Sequence, residues 1–190
     1  MDKSNNHVLI IASGGIDSTA CINFYKNLNF DISLIFFDYN QAARKKEHDA
    51  LCNISKYYKT SLKKVTIKDL GQFKNGLVLG RNAAFYFLAL INFNKPNGII
   101  ASGIHYGTNY YDCSERFLSE IQIIVEQYSQ GTIKIEAPFV NFTKTEIINY
   151  CQAEKVPLEL TYSCELGKKQ PCGKCATCKD LIAIYAIKNK

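Results

Sequence analysis

The sequence predicts an α/β fold, a doubly wound and mainly parallel sheet with helices on both faces, and two observations carry that prediction. Short runs rich in Ile, Val and Phe alternate along the chain with longer stretches of helical spacing, the order that builds parallel sheets through crossover helices. A Ser-Gly-Gly turn follows the first of those runs directly, where a strand of such a sheet hands over to its helix.

His7 to Ala12 opens the pattern as a strand, too short and too uniformly apolar for an amphipathic helix, and Ser18 to Leu28 follows with helical spacing. Asp31 to Tyr39 reads as the second strand, Ala42 to Tyr58 as the second helix and Leu62 to Ile67 as the third strand. Arg81 to Phe93 (helix), Gly98 to Ser102 (strand), Glu115 to Tyr128 (helix) and Thr132 to Ile135 (strand) continue the alternation. Thr143-Lys144-Thr145-Glu146 fits a capping box, in which hydroxyl and carboxylate each accept from the other residue's backbone N–H. With Phe142 and Ile147 spaced as its hydrophobic staple, it predicts a helix starting at Lys144. Asp112-Cys113-Ser114-Glu115 offers a similar start for the helix before it. No repeat, low-complexity tract or linker interrupts the chain, so residues 1–190 are expected to form one domain. The only shift in composition comes at Tyr162, where a cysteine-rich segment, 162–182, begins.

Hydrophobic residues make up 47% of the chain and charged residues 21%, enough apolar material for a substantial core. No apolar run approaches the roughly 20 residues of a membrane span, and Met1 to Asn6 lacks the layout of a signal peptide. A cytoplasmic protein with no membrane partner is the expectation. The net charge of +6 is scattered through helical stretches, so nucleic acid is permitted and not indicated. Cys21, Cys52, Cys113 and Cys151 stand singly, whereas Cys164, Cys172, Cys175 and Cys178 are packed together. In a reducing compartment that cluster points to a metal before disulfides.

Ser13-Gly14-Gly15-Ile16-Asp17-Ser18 has the makings of a phosphate cradle. Two glycines let the backbone approach an anion, the helix that follows adds its positive end and free amides, and Ser13 and Ser18 carry hydroxyls. The loop lacks the lysine of a G-x-x-x-x-G-K-[ST] motif, so it is not the usual β/γ-phosphate cradle. A carboxylate here is repulsive unless it faces Mg²⁺ or orients a donor, which makes Asp17 a metal-side or positioning candidate. The plain alternative is a strand-to-helix turn capped by Asp17 or Ser18.

Here the sequence resembles the PP-loop ATP pyrophosphatases, whose signature is S-G-G-x-D-S after the first strand, and within them the 7-cyano-7-deazaguanine synthase (QueC) family. Asp38-Tyr39-Asn40-Gln41 with the basic helix after it, Gly80-Arg81-Asn82, Tyr111-Asp112-Cys113 with Phe117, and the terminal cysteines extend the resemblance from about residue 8 to 182. It implies cleavage of ATP between the α- and β-phosphates, an adenylated substrate, Mg²⁺ as the catalytic ion and a homodimer.

Cys164-x7-Cys172-x2-Cys175-x2-Cys178 supplies the four thiolates of a closed tetrahedral zinc site, with Gly173 free to turn the knuckle between Cys172 and Cys175. An iron–sulfur cluster is the rival, since C-x2-C-x2-C also opens ferredoxin runs, but the continuation lacks their further cysteine and proline. The resemblance implies Zn²⁺, and a closed set implies a structural role. Lys168, Lys169, Lys174 and Lys179 surround the cluster and offset its negative charge.

Lys144 and Arg81 each place a cation at a helix start, against the dipole, and that misfit marks both as functional candidates. By resemblance Lys144 faces the ATP phosphates and stabilises departing pyrophosphate, while Arg81 binds phosphate or substrate. Tyr39, Asn40 and Gln41 fall where the second strand ends, the edge at which doubly wound sheets bind ligands, and Arg44 joins them as a further candidate. Asp112 reads as a helix cap or, by resemblance, as a contact to the substrate base. His7, His48 and His105 show no mutual ligand spacing and read as packing or surface residues, and Cys113 as a small buried one.

The expected function is therefore ATP-dependent adenylation of 7-carboxy-7-deazaguanine and amination by ammonia to 7-cyano-7-deazaguanine through an amide. The sequence departs from the family's pattern on the substrate side. The segment from Asp69 to Gly80 is short, and the loop after Gly103 lacks the proline before Asp112-Cys113 and the arginine after it. A paralogue that stops at the amide, or conjugates the acyl group to a protein amine in bacterial defence, is the alternative. A tRNA-modifying enzyme and a non-catalytic nucleotide-binding module rank below it.

Overall fold

The computed structural model describes residues 6–68, 78–107 and 110–188, so residues 69–77 of the short segment and Thr108 and Asn109 of the loop lie outside the described residues. Among the described residues five strands form one parallel sheet: β1 (His7–Ile11), β2 (Asp31–Asp38), β3 (Ser61–Thr66), β4 (Gly98–Ser102) and β5 (Ile133–Glu136). Their spatial order is β3-β2-β1-β4-β5, with Val8 opposite Ile32 on one side and Ile99 on the other. The order reverses between β1 and β4. That is the switch point at which such sheets open a crevice beyond the carboxyl ends of their strands.

The helices are α1 (Ile16–Asn27), α2 (Arg44–Tyr58), α3 (Arg81–Ile91), α4 (Glu115–Ser129), α5 (Lys144–Ala153) and α6 (Ala176–Lys188). Alternate residues of each strand point to opposite faces, so the sheet separates two cores. Val8, Ile10, Leu34 and Phe36 pack with Ala20 of α1, Leu51 and Ile54 of α2, Ile147 and Ile148 of α5 and Ile184 of α6. Leu9, Ile35, Phe37 and Ile100 pack with Tyr86 and Ala89 of α3 and with Phe117, Ile121 and Val125 of α4. Helices thus cover both faces, as the strand–helix alternation predicts. β3 is an edge strand and carries Lys63 and Lys64 on an exposed surface, a charge pattern that discourages edge pairing.

Local signals set the helix starts that matter for the site. Thr143 accepts from the Glu146 amide at 3.3 Å and its own N–H donates to the Glu146 carboxylate at 2.7 Å, the capping box read from the sequence, so α5 begins at Lys144. Ile147 is fully buried, while the Phe142 ring meets Phe139 edge-on at 5.3 Å. Ser114, not Asp112, caps α4, accepting from the Phe117 amide at 3.2 Å. α1 starts at Ile16, with Gly15 at the cap position and no side-chain cap, which places Asp17 and Ser18 inside the first turn. The C-terminal α6 was not expected from the sequence. No described helix is long and apolar enough to cross a membrane.

Candidate active site at the sheet switch point

The glycine loop is shaped by packing before it is shaped by any ligand. Gly14 has φ +79°, and a Cβ there would lie 2.5 Å from the Glu47 carbonyl and 3.0 Å from the Leu51 amide nitrogen, so only glycine lets the loop rest on α2. Gly103, just past β4, presses on the same turn, since its Cβ would come within 2.6 Å of the Asp17 backbone. Ser18 is buried, and its hydroxyl donates to the Gly15 carbonyl at 3.1 Å, alongside Thr19 at 2.8 Å. Ser13 accepts weakly from the Gly15 amide at 3.4 Å. The groups of this loop left to face an anion are therefore the first-turn amides of α1 and the positive end of that helix.

Lys144 reaches that helix start from 127 residues away, its Nζ donating to Asp17 Oδ1 at 2.5 Å. Neither side chain is freely solvated, at 15% and 27% exposure, so the pair is held with little competition from water. Asp17 offsets the cost of seating an ammonium at the positive end of α5. On the far side of the same carboxylate stands His105, with Nε2 3.8 Å from Asp17 Oδ2 and Nδ1 2.6 Å from the Tyr106 carbonyl. The reading of His105 as packing or surface is corrected: it faces the site. Its position three residues past the end of β4, at the switch point, was the available signal.

A cavity of about 560 Å³ opens here. Asp17, Lys144 and His105 line it with Arg81, Asp112 and Cys113, and Glu165, Thr177 and Asp180 of the C-terminal segment complete the lining. Arg81 follows Gly80, whose φ is +72°, and its Nη1 donates to the Tyr39 hydroxyl at 3.4 Å. Asn82 Nδ2 donates to the Asp112 carbonyl at 3.1 Å, tying the start of α3 to the turn that carries Asp112. Cys113 lines the cavity and is half-buried, where the sequence suggested a small buried residue.

The other residues taken as substrate-binding candidates are placed differently. Tyr39 accepts from Arg81 and packs on Phe85, and none of Tyr39, Asn40, Gln41 and Arg44 lines the cavity. Gln41 is spent on the loop itself: its amide donates to the Phe37 carbonyl at 3.1 Å and to Glu47 at 2.9 Å, and its oxygen accepts from the Tyr39 amide at 3.0 Å. Asn40 holds φ +66° with its amide on Asp38 at 3.2 Å, and Arg44 donates to the Gln41 carbonyl at 3.2 Å. Burial beneath this loop pushes the Glu47 carboxyl above its ordinary range.

The sulfur atoms of Cys164, Cys172, Cys175 and Cys178 all lie within 4.8 Å of one another. Four thiolates around one zinc at about 2.3 Å require sulfur separations of roughly 3.8 Å, so the set fits the ion. The amides of Cys175 and Lys174 donate to Cys172 Sγ at 3.3 and 3.4 Å across Gly173, whose φ is +67°. They hold the Cys172 thiol down to about 6, in the range where a thiolate is available to a metal. The segment is tied back to the fold, the Tyr162 amide donating to the Gly14 carbonyl at 2.9 Å and Gly167 lying where any Cβ would strike the Ala42 carbonyl.

A parallel sheet in this order, with a glycine loop and a lysine at its switch point and a cysteine set beside it that could hold a metal ion, defines a nucleotide-type α/β protein. A family model described as "Queuosine biosynthesis protein QueC" matches residues 7–78 and 69–183. The chain belongs to the QueC family. It is 30% identical over 202 residues to a 7-cyano-7-deazaguanine synthase of Campylobacter jejuni, covering 90% of this chain and 89% of that protein. It is 29% identical over 216 residues to the 7-cyano-7-deazaguanine synthase of Sulfurimonas denitrificans, covering 100% of this chain and 96% of that one. Among solved structures, a predicted subunit of tRNA methyltransferase from Methanocaldococcus jannaschii superposes with a TM-score of 0.51 at 15% identity, over 77% of this chain and 75% of that one, a likeness of fold alone.

Proposed function

We propose that this protein activates the carboxylate of 7-carboxy-7-deazaguanine with ATP and aminates it with ammonia, forming 7-cyano-7-deazaguanine by way of an amide. Membership of the QueC family and the names of its relatives support the reading. The observation that carries it is the meeting of Lys144 with Asp17 at the start of α1, inside a cavity that also holds Arg81.

The chemistry needs positive charge where pyrophosphate departs. A carboxylate oxygen attacks the α-phosphorus, the bond to the bridging oxygen breaks, and Lys144, Arg81 and the α1 amides face the charge that develops. Asp17 keeps Lys144 aimed at that point, and it is this chain's candidate to face Mg²⁺ carried on the phosphates, which supplies further neutralisation of charge. Ammonia then attacks the acyl carbon, AMP leaves with the C–O bond it shared, and a proton is released to give the amide. A second activation at the amide oxygen, with loss of one of the two amide protons, lets AMP leave with that oxygen, and loss of the remaining N–H proton yields the nitrile. Asp112 contacts the base. Cys164, Cys172, Cys175 and Cys178 would hold Zn²⁺, and a set of four thiolates would give the ion a structural part.

One feature favours a second reading, amide or protein-conjugate formation. Tyr106, Tyr110 and Tyr111 on the acceptor side are each more than half exposed, an open border that suits an amine larger than ammonia. Mass spectrometry of protein incubated with ATP, Mg²⁺, ammonium and 7-carboxy-7-deazaguanine separates the readings. Amide followed by nitrile is expected. Acyl mass added to a neighbouring encoded protein, with amide or nothing free in solution, would favour the second, and unchanged carboxylate with no AMP and no adduct would sink both.

A further inference from the structure

The cysteine segment also forms part of the cavity it adjoins. We propose that Glu165 is a positioning residue that couples the four-cysteine site to the cavity, fixing the first turn of α6 as the wall on the acceptor side. The proposal rests on the functional reading above for what the cavity binds.

Glu165 directly follows Cys164 in the chain. Its Oε1 accepts from the Thr177 amide at 3.1 Å and from the Thr177 hydroxyl at 2.6 Å. Thr177 lies between Cys175 and Cys178 in the first turn of α6, so this helix starts inside the cysteine loop itself. Such a start is chemically exposed. The first amides of any helix lack intrahelical partners, the first turn of α6 holds no acidic residue, and Gly173-Lys174-Cys175 offers no hydroxyl or carboxylate at the cap. Glu165 supplies a further acceptor and negative charge to this turn from twelve positions earlier in the chain, beside the Cys175 sulfur, which accepts from the Cys178 amide.

Both ends of the clamp face the cavity. Glu165, Ala176 and Thr177 line it together with Asp17 and Lys144. Farther along, Ile184 anchors α6 in the core. The near end of α6 has two ties, the cysteines and Glu165, and both run through the adjacent pair Cys164-Glu165. Ordering Cys164 on a metal therefore orders the carboxylate that holds the wall. The Tyr162 amide on the Gly14 carbonyl registers the same stretch of chain against the phosphate loop. Loss of the clamp should loosen the acceptor wall and leave the ATP side, held by α1 and α5, in place.

The test uses the full zinc-loaded chain as wild type, Glu165→Ala and Glu165→Gln. Gln keeps an oxygen for both Thr177 donors and removes the charge. Zinc content and hydrogen exchange of amides 176–180 are measured without turnover, and steady-state kinetics are measured with ATP, ammonium and 7-carboxy-7-deazaguanine. For Glu165→Ala we expect zinc retained, exchange of the 176–180 amides faster by about tenfold, and KM for the carboxylate raised about tenfold, with KM for ATP within about twofold of wild type. Glu165→Gln should recover most of both effects. Unchanged exchange in Glu165→Ala would overturn the proposal, as would loss of zinc, which would make Glu165 a support of the metal site only. A Gln variant as impaired as Ala would assign Glu165 a direct charge contact to ligand instead. If the wild type fails to consume ATP with this carboxylate, the functional reading fails, while zinc content and exchange still decide the clamp.

Discussion

The two sides of the cavity are built by opposite means. On the glycine-loop side each functional group stands on an element packed into the core: Asp17 beside buried Ile16 and Ala20 on α1, Lys144 ahead of buried Ile147 and Ile148 on α5. On the side proposed to take the acceptor, Asp112 stands on the connection between β4 and α4, and α3 starts after Gly80, where an added Cβ would meet nothing among the described residues within 4 Å. Large side chains there face solvent, Leu79 at 89% and Tyr106 at 65% exposure. A charge that must meet a developing charge needs a rigid mount, whereas recognition of a particular acceptor is carried by loops that can change without disturbing the core.

The largest expected effect tests the rigid side. Lys144→Met should lower the rate of AMP release about 10³-fold, near 4 kcal/mol, with the fold intact by circular dichroism. A loss under tenfold would remove the chemical role from this side. A matched pair of glycines sharpens the contrast next. Gly14→Ala combines a positive φ with a Cβ 2.5 Å from the Glu47 carbonyl and should cost about 3 kcal/mol in denaturant unfolding, while Gly80→Ala, at φ +72° with nothing among the described residues within 4 Å, should cost about 1 kcal/mol. Equal costs would break the distinction between packed and open sides. Arg81→Gln should lower kcat/KM for the carboxylate about tenfold and leave the melting temperature within a few degrees, as suits a residue outside the core.

The smallest effect is a pH dependence at the end of β2, where the acceptor side joins the sheet. Against desolvation, the Lys64 ammonium at 2.7 Å and the Asn40 amide hold the Asp38 carboxyl below its ordinary range. The folded state therefore favours the ionised form. Its contribution is full above the unfolded carboxylate range and is lost as pH falls through the lowered value. Lys64 is 41% exposed, so this is worth under about 1 kcal/mol. Unfolding free energies of wild type and Asp38→Asn should converge between pH 6 and pH 3; a gap that stays constant would contradict the assignment.

The same contrast governs what could be read before any coordinates. Five strands, five helices and the capping box at Thr143 were legible because each is written in local periodicity or cap chemistry. α6 was not, because its start is set by a cysteine loop and by a carboxylate twelve residues back, neither of which has helical spacing. The glycine loop was recognised, yet the need for Gly14 lies in its contact with α2, a helix more than thirty residues later, and the Ser18 hydroxyl is spent on the Gly15 carbonyl of its own turn. Gln41 looked ligand-facing because polar residues at strand ends usually are, and its side chain is consumed in closing its own loop. Asp17 and Lys144 were both named as candidates, but their pairing joins positions 127 apart and has no trace in either segment.

Adenylation of the carboxylate is the central claim, and oxygen labelling tests it most directly. With 7-carboxy-7-deazaguanine carrying ¹⁸O in its carboxylate, the account predicts that AMP recovered from the amide-forming step contains one labelled oxygen and that pyrophosphate contains none. Label appearing in inorganic phosphate alongside ADP, or AMP released without label, would contradict it.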